Sequence, residues 1–361
     1  MTDAQIIKQS CERFISYRYP TTARQELLEL ANAVDPDIAP DVGGTGELAD
    51  NLETRVATLL GKPSAVFMPS GKTAQLIALR LWCESSNCNT LAVHMRSHIE
   101  EFEEQSHRFL HGLQTVPLGH ANRQTTLKDI EGLNPPIGAV SIELPLRNLG
   151  WLLPAWSELE DMSKALADKK IPFHADAARL WELQPYYDRS FVEIAKLFDS
   201  LYVSFYKGIG ALAGSALVGP ADLIDEAKVW QQRTGTRLPK MHPYLIGALH
   251  GLDTRLPLMP DYYQKAKAIC EALQVLPDVS LHPEQPHGNS FHVVIRGDVS
   301  KLEEARNRAA EETGIWPFDV IVPSPITGFA MFELVIQDAA LDLSDAEIAD
   351  CIGRVARYMA D

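Results

Sequence analysis

The sequence is short of cysteine, of basic charge and of long apolar runs, and each shortage removes a class of protein. Its 361 residues include five cysteines, Cys11, Cys83, Cys88, Cys270 and Cys351, an odd and scattered set. Cys83 and Cys88 are separated by four residues, and no second pair completes a zinc site. Reduced thiols in a cytoplasmic protein are the better reading. Lys and Arg number 33 against 48 Asp and Glu, a net charge of −15. That balance argues against an extended nucleic-acid surface, because phosphate backbones need a basic footprint. There is no run of about twenty apolar residues, so no membrane-spanning helix is expected. The start "MTDAQIIKQS" lacks the basic-then-apolar layout of a signal peptide. A nucleotide-binding P-loop is also incomplete. "MPSGKTAQ" (Met68 to Gln75) contains SGKT, but the glycine required five residues before Gly71 is Val66.

What is present is core material, 46% hydrophobic residues, in an alternating order. Length alone suggests two or three domains. "SAVFMP" precedes the helical "TAQLIALRLWCE", where Ala74, Ile77, Ala78 and Leu81 recur at i, i+3, i+4 and i+7. "TLAVH", "LQTVPL" and "GAVSIELP" follow as compact apolar runs. "PAWSELEDMSKALADKK" reads as a helix, then "IPFHADAA", "DSLYVSFYKG" and "GSALVG" as strands. Short apolar runs separated by helices predict a mostly parallel sheet covered on both faces. From about Gly251 the pattern changes to a long helix, "GNSFHVVIRG", the charged "KLEEARNRAAEETG" and "FAMFELVIQD", a smaller α+β unit. The expected division is an N-terminal arm and helix (1–45), a large domain (46–252) and a small domain (253–361).

Two segments carry chemistry. "HADAAR" (His174 to Arg179) ends one predicted strand, and "SFYKGIG" (Ser204 to Gly210) ends another. In a parallel sheet the carboxyl ends of the strands face the ligand crevice, so Asp176 and Lys207 point into one site. Taken singly, Asp176 is a helix cap, Asp176 with Arg179 a local salt bridge, and Lys207 a surface strand end. Together with the phosphate-suited helix start at Ser70-Gly71, they fit pyridoxal-phosphate chemistry. A lysine holds the cofactor aldehyde covalently. An aspartate keeps the pyridine nitrogen protonated. A helix N-terminus receives the dianionic phosphate.

"PSGKTAQLIALRLWCE", "HADAARLWE" and "DSLYVSFYKGIGALAGSALVG" resemble, in order and spacing, stretches of the threonine aldolase and β-eliminating lyase family. The resemblance covers roughly Glu12 to Leu252 and is loose beyond. It implies the pyridoxal-phosphate-dependent transferase-like fold of type I: an α/β large domain with a mostly parallel seven-stranded sheet, plus a smaller α+β C-terminal domain. It implies pyridoxal 5'-phosphate as cofactor and a small amino-acid substrate, with no metal. It also implies a homodimer or homotetramer with shared active sites. By position Lys207 is the cofactor lysine and Asp176 the pyridinium partner, while Ser70, Gly71, Lys72 and Ser204 lie in the cofactor-binding motifs. Arg179 matches an arginine that reaches the cofactor's phenolic oxygen or the substrate carboxylate. His98 matches the residue stacked over the cofactor ring, Glu103 a glutamate lining the site, and Ser16 a serine near the substrate carboxylate.

Several positions depart from the family pattern. Tyr206 stands where serine is usual, and Arg147 follows "SIELP" where a histidine is usual. Arg147 stays protonated near neutral pH and so is no base, but it suits a carboxylate bidentately or a structural salt bridge. Glu333 stands where an arginine for the substrate carboxylate is usual, and "VGGTGE" lacks a tyrosine common before the Gly-Glu. Lys72 replaces a small hydroxyl residue. The cofactor set is kept and the substrate set altered. The favoured reaction is retro-aldol cleavage of a threonine-like L-β-hydroxy-α-amino acid to glycine and an aldehyde. β-Elimination, or aldol transfer on another amino acid, would use the same cofactor set. The remaining alternatives are a non-catalytic binding protein of the same fold and, least supported, a nucleotide-binding protein.

Overall fold

The computed structural model describes residues 2–134, 136–322 and 324–360. The chain forms two compact units, residues 23–257 and a second made of 1–22 with 258–361. The larger unit is built on seven strands: β1 (Ser64–Met68), β2 (Thr90–Val93), β3 (Gln114–Pro117), β4 (Ala139–Glu143), β5 (Phe173–Asp176), β6 (Ser200–Ser204) and β7 (Ser215–Gly219). Their order across the sheet is β1-β7-β6-β5-β4-β2-β3. Strands β3 to β6 and β2 run parallel, and β7 is antiparallel to both β6 and β1. The seven expected apolar runs are these seven strands. Every residue of β5, β6 and β7 is buried, as helices on both faces require.

The helix Gly71–Ser85 buries Ala74, Ile77, Ala78 and Leu81, the positions its periodicity picks out. It packs them against Val66 and Met68 of β1 and Tyr202 and Leu217 of β6 and β7. Trp156–Lys169 is the helix expected before β5, and Lys170 ends it in the left-handed conformation. The reversal at β7 is not visible as periodicity, because a fully buried strand reads the same in either direction.

The smaller unit is a four-stranded antiparallel sheet in which Ser290–Arg296 pairs with Phe329–Val335 on one side and Val279–His282 on the other. Its core includes Phe291, Phe318, Phe332, Ile352 and Val355, with the rings of Phe318 and Phe332 stacked at 3.8 Å. The first residues belong here. Arg13–Phe14 pairs in parallel with Ile315–Trp316, and Phe14 packs with Cys11, Trp316 and Ala339. By their contacts the two units meet along the chain at residues 22/23 and 257/258. The physical reason is strand pairing across more than 300 positions, which no local pattern announces. The five cysteines are free thiols, four of them buried. Among the described residues no helix is long and apolar enough to cross a membrane.

One buried polar group in the large sheet has a thermodynamic consequence. His174 of β5 is fully buried, with Nδ1 2.8 Å from Ser200 Oγ. That oxygen accepts the Trp82 indole N–H at 2.7 Å, so its own hydrogen is free for Nδ1. Nε2 of His174 is buried without a partner. Burial pushes the imidazole from 6.5 down to about 3, so the folded chain keeps it neutral. Burial also lowers His94, His107 and His111. Below the ordinary histidine value the unfolded chain binds protons that the native chain refuses, so stability is full above it and falls as pH drops toward 3. Urea midpoints measured down this range should decline in the wild type. They should decline less steeply in His174→Asn, by up to about 1.4 kcal/mol per pH unit for one proton.

Candidate active site

The carboxyl ends of β4, β5 and β6 bring the chemistry together. Asp176 ends β5 and lies directly opposite Glu143 at the end of β4. Lys207 follows β6 by three residues, in the turn that leads to β7. Asp176 is 5% exposed, accepts the Ala178 N–H at 3.3 Å and is hydrogen-bonded by the Tyr202 hydroxyl. Among the described residues no lysine or arginine forms an ion pair with it. Burial raises its carboxyl above the ordinary value, opposed by the Lys207 charge. Burial, with Asp176 beside it, pushes Glu143 up to about 7. Burial and the neighbouring Arg179 bring Lys207 down to about 8, so a larger share of its amine is unprotonated near neutral pH.

The anion end of the site is the start of the helix Gly71–Ser85. Ser70 makes no capping bond, and the first helical bond runs from Ala74 N–H to the Ser70 carbonyl at 3.1 Å. The amides of Gly71, Lys72 and Thr73 precede it and present donors and the positive end of the helix dipole. Gly71 is required by packing. A Cβ there would sit 2.8 Å from a ring carbon of Tyr202, whose hydroxyl is engaged with Asp176. The Lys72 ammonium donates to the Phe102 carbonyl at 2.9 Å. Lys72 thus ties the helix start to the segment bearing His98 and Glu103.

That segment is a hydrogen-bonded unit. His98 Nδ1 is 2.9 Å from Glu103 Oε1, and Glu103, 3% exposed, also accepts from Gln75 and Ser106 at 3.4 Å each. The His98 backbone N–H donates to Glu143 Oε2 at 2.7 Å. A proton on Nδ1 directed at a buried carboxylate leaves Nε2 as the acceptor. Arg179 lies with its guanidinium carbon 4.3 Å from the Trp151 ring centroid and Nη1 3.4 Å from Glu182. Arg147 stands 5.8 Å from the same ring, its backbone N–H donating to Glu143 at 3.4 Å. Lys207 Nζ is 5.8 Å from the centroid of the Tyr206 ring, which is 40% exposed. Ser204 is fully buried and gives its hydroxyl to the Ala178 carbonyl at 2.6 Å, linking the β6 end to the turn before Arg179.

Ser16 and Glu333 belong to the smaller unit. Ser16 Oγ accepts the Val335 N–H at 2.9 Å, and Glu333 is fully buried opposite His292 in the antiparallel pair. Glu143, Tyr202, Trp151 and Glu182 were not singled out by sequence reasoning. Glu143 alone left a trace, as the last polar residue of a strand aligned with the one that ends in Asp176.

The residues fit pyridoxal phosphate. A buried carboxylate that no lysine or arginine pairs among the described residues suits a protonated ring nitrogen, uncapped amides suit the phosphate, and a buried amine of lowered pKa suits the aldehyde. Among the described residues no cluster of His, Cys, Asp and Glu has the geometry of a metal site.

A sheet of this order with strand-end lysine and aspartate defines the type I fold of pyridoxal-phosphate enzymes. A serine palmitoyltransferase of Sphingomonas wittichii shares it, with a TM-score of 0.67 at 14% identity over 96% of this chain and 86% of that one. The family model for β-eliminating lyases matches residues 29–296, and the chain belongs to that family. A solved protein of Listeria monocytogenes EGD-E, described as a candidate L-allo-threonine aldolase, is 34% identical. It covers 99% of this chain and 100% of its own, with a TM-score of 0.93. The low-specificity L-threonine aldolase 1 of Arabidopsis thaliana is 24% identical over 308 residues, 82% of this chain and 84% of its own.

Gly71→Ala tests the packing of the anion site. The added methyl must displace the Tyr202 ring, with an expected cost of about 1–3 kcal/mol, the range for overpacking a filled core. Denaturant unfolding would measure it, and a cost near zero would show that the Tyr202 ring yields freely.

Proposed function

We propose that this chain is a pyridoxal-phosphate lyase that cleaves threonine-like L-β-hydroxy-α-amino acids to glycine and an aldehyde. One observation carries the reading: Lys207, its amine lowered to about 8, stands at the same sheet edge as the counter-ion-poor carboxylate Asp176. The threonine aldolase descriptions of the two relatives support the reaction class. Bound there, the cofactor supplies an electron sink for the carbanion left when Cα–Cβ breaks.

The chain's own residues divide the remaining work. Lys207 would hold the cofactor covalently through its amine. Asp176, oriented by Tyr202, holds the proton on the ring nitrogen. The amides of Gly71 to Thr73 hold the phosphate. His98, assigned to the cofactor by resemblance, has Nδ1 committed to Glu103 and would offer Nε2 to the β-hydroxyl proton. Arg179 faces the substrate carboxylate, with Arg147 beside it on the Trp151 ring. Ser16 is assigned to the substrate side by resemblance. We extend the proposal to a cytoplasmic homodimer or homotetramer with shared sites, supported by the exposed apolar residues Phe102, Phe109 and Leu110.

The purified protein should absorb in the visible, and borohydride should fix the cofactor to a peptide containing Lys207. Aldehyde release from L-threonine and L-allo-threonine should be lost in Lys207→Ala. It should fall about 10²-fold or more in kcat/KM in His98→Asn, the scale of a general base. A protein that stays colourless with added pyridoxal phosphate would sink the proposal.

A further inference from the structure

Glu182 is a buried carboxylate that the roles above leave unused. It lies on the helix Leu180–Tyr187 and is 2% exposed. Its Oε1 accepts two hydrogen bonds, from the Gly208 backbone N–H at 2.9 Å and from Arg179 Nη1 at 3.4 Å. One oxygen therefore holds both the residue after Lys207 and the guanidinium beside it. The approach is possible only because position 208 is glycine, where a Cβ would lie 2.5 Å from that oxygen. Oε2 is buried and has no hydrogen-bond partner. A carboxylate this dry is costly unless paired, and its partners are Arg179 and the backbone of the residue that follows Lys207.

We infer that Glu182 is a positioning residue: it fixes the spacing between Lys207 and Arg179 and neutralises the Arg179 charge at the Lys207 amine. Without it, an arginine and a lysine would share a buried site with no carboxylate bonded to Arg179. The charged groups acting on Lys207 are Arg179, which lowers its pKa, and Asp176, Glu143 and Glu182, which raise it. Glu182 is the one of the three carboxylates bonded to the Lys207 turn itself. Gln at this position would retain an oxygen for the Gly208 N–H but lose the charge that balances Arg179.

The inference rests on Lys207 being the cofactor lysine, and its test is made on the full chain stripped of cofactor. The initial rate of reductive methylation at Lys207 is followed against pH by peptide mass spectrometry, in wild type and Glu182→Gln. The wild-type inflection is expected near 8, and that of Glu182→Gln lower by about half to one unit, the direction of losing a nearby negative charge. In the loaded enzyme KM for the amino acid should rise more than kcat falls, because Arg179 loses its anchor. An unmoved inflection in a folded Glu182→Gln protein overturns the inference. Should that variant not fold, Arg179→Gln decides: an upward move supports the balance of charges, and no move overturns it. Failure of the wild type to take up pyridoxal phosphate would sink the proposed function instead, and leaves the titration readable.

Discussion

A dry sheet edge holding five ionisable groups is the constraint around which the larger unit is organised. Glu143 and Asp176 are direct neighbours on adjacent parallel strands, a lateral separation of about 4.8 Å. Burial drives both carboxyls up, and the Asp176 charge adds to the rise at Glu143. Lys207 answers them from the next strand end, and Arg179 with Glu182 completes the set. Burial is the first cause of the shifts at Glu143, Asp176 and Lys207. Burial raises Glu143 to about 7 and lowers Lys207 to about 8, so both change protonation near neutral pH.

The surrounding packing serves to hold these groups still. Tyr202 is clamped between the Gly71 backbone and Asp176, so a missing side chain on one element orients a carboxylate on another. Gly208 does the same for Glu182. Lys72, Gln75 and Glu103 lash the His98 segment to the start of the helix Gly71–Ser85. Where these contacts are buried, as at Glu103 and Glu182, a hydrogen bond is stronger and an orphan more expensive. The positions of Asp176, Glu182 and His98 are thus set by neighbours on other elements.

Much of this was legible in the chain. The seven apolar runs, the amphipathic register of Ala74, Ile77, Ala78 and Leu81, and the placing of Asp176 and Lys207 at strand ends follow from periodicity and length alone. His98 and Glu103 followed only from resemblance, since a histidine five residues before a glutamate has no diagnostic period. Lys72 was legible as an oddity but not in its role, because its partner is a backbone carbonyl thirty residues away. Glu143, Glu182, Tyr202 and Trp151 were hidden for a common reason. Each matters through a neighbour contributed by another element, and sequence spacing carries no information about such neighbours.

The division of labour between sequence and tertiary structure is therefore physical. Local periodicity determined which segments are strands and helices, and strand-end chemistry determined that an amine and a carboxylate would meet a phosphate-suited helix start. Tertiary structure decided the antiparallel turn at β7, the membership of residues 1–22 in the smaller unit, and the carboxylate partners of His98 and Lys207. Hydrophobic patterns repeat within a few residues and can be read along the chain. Charge compensation and close packing are settled between elements that are adjacent only after folding.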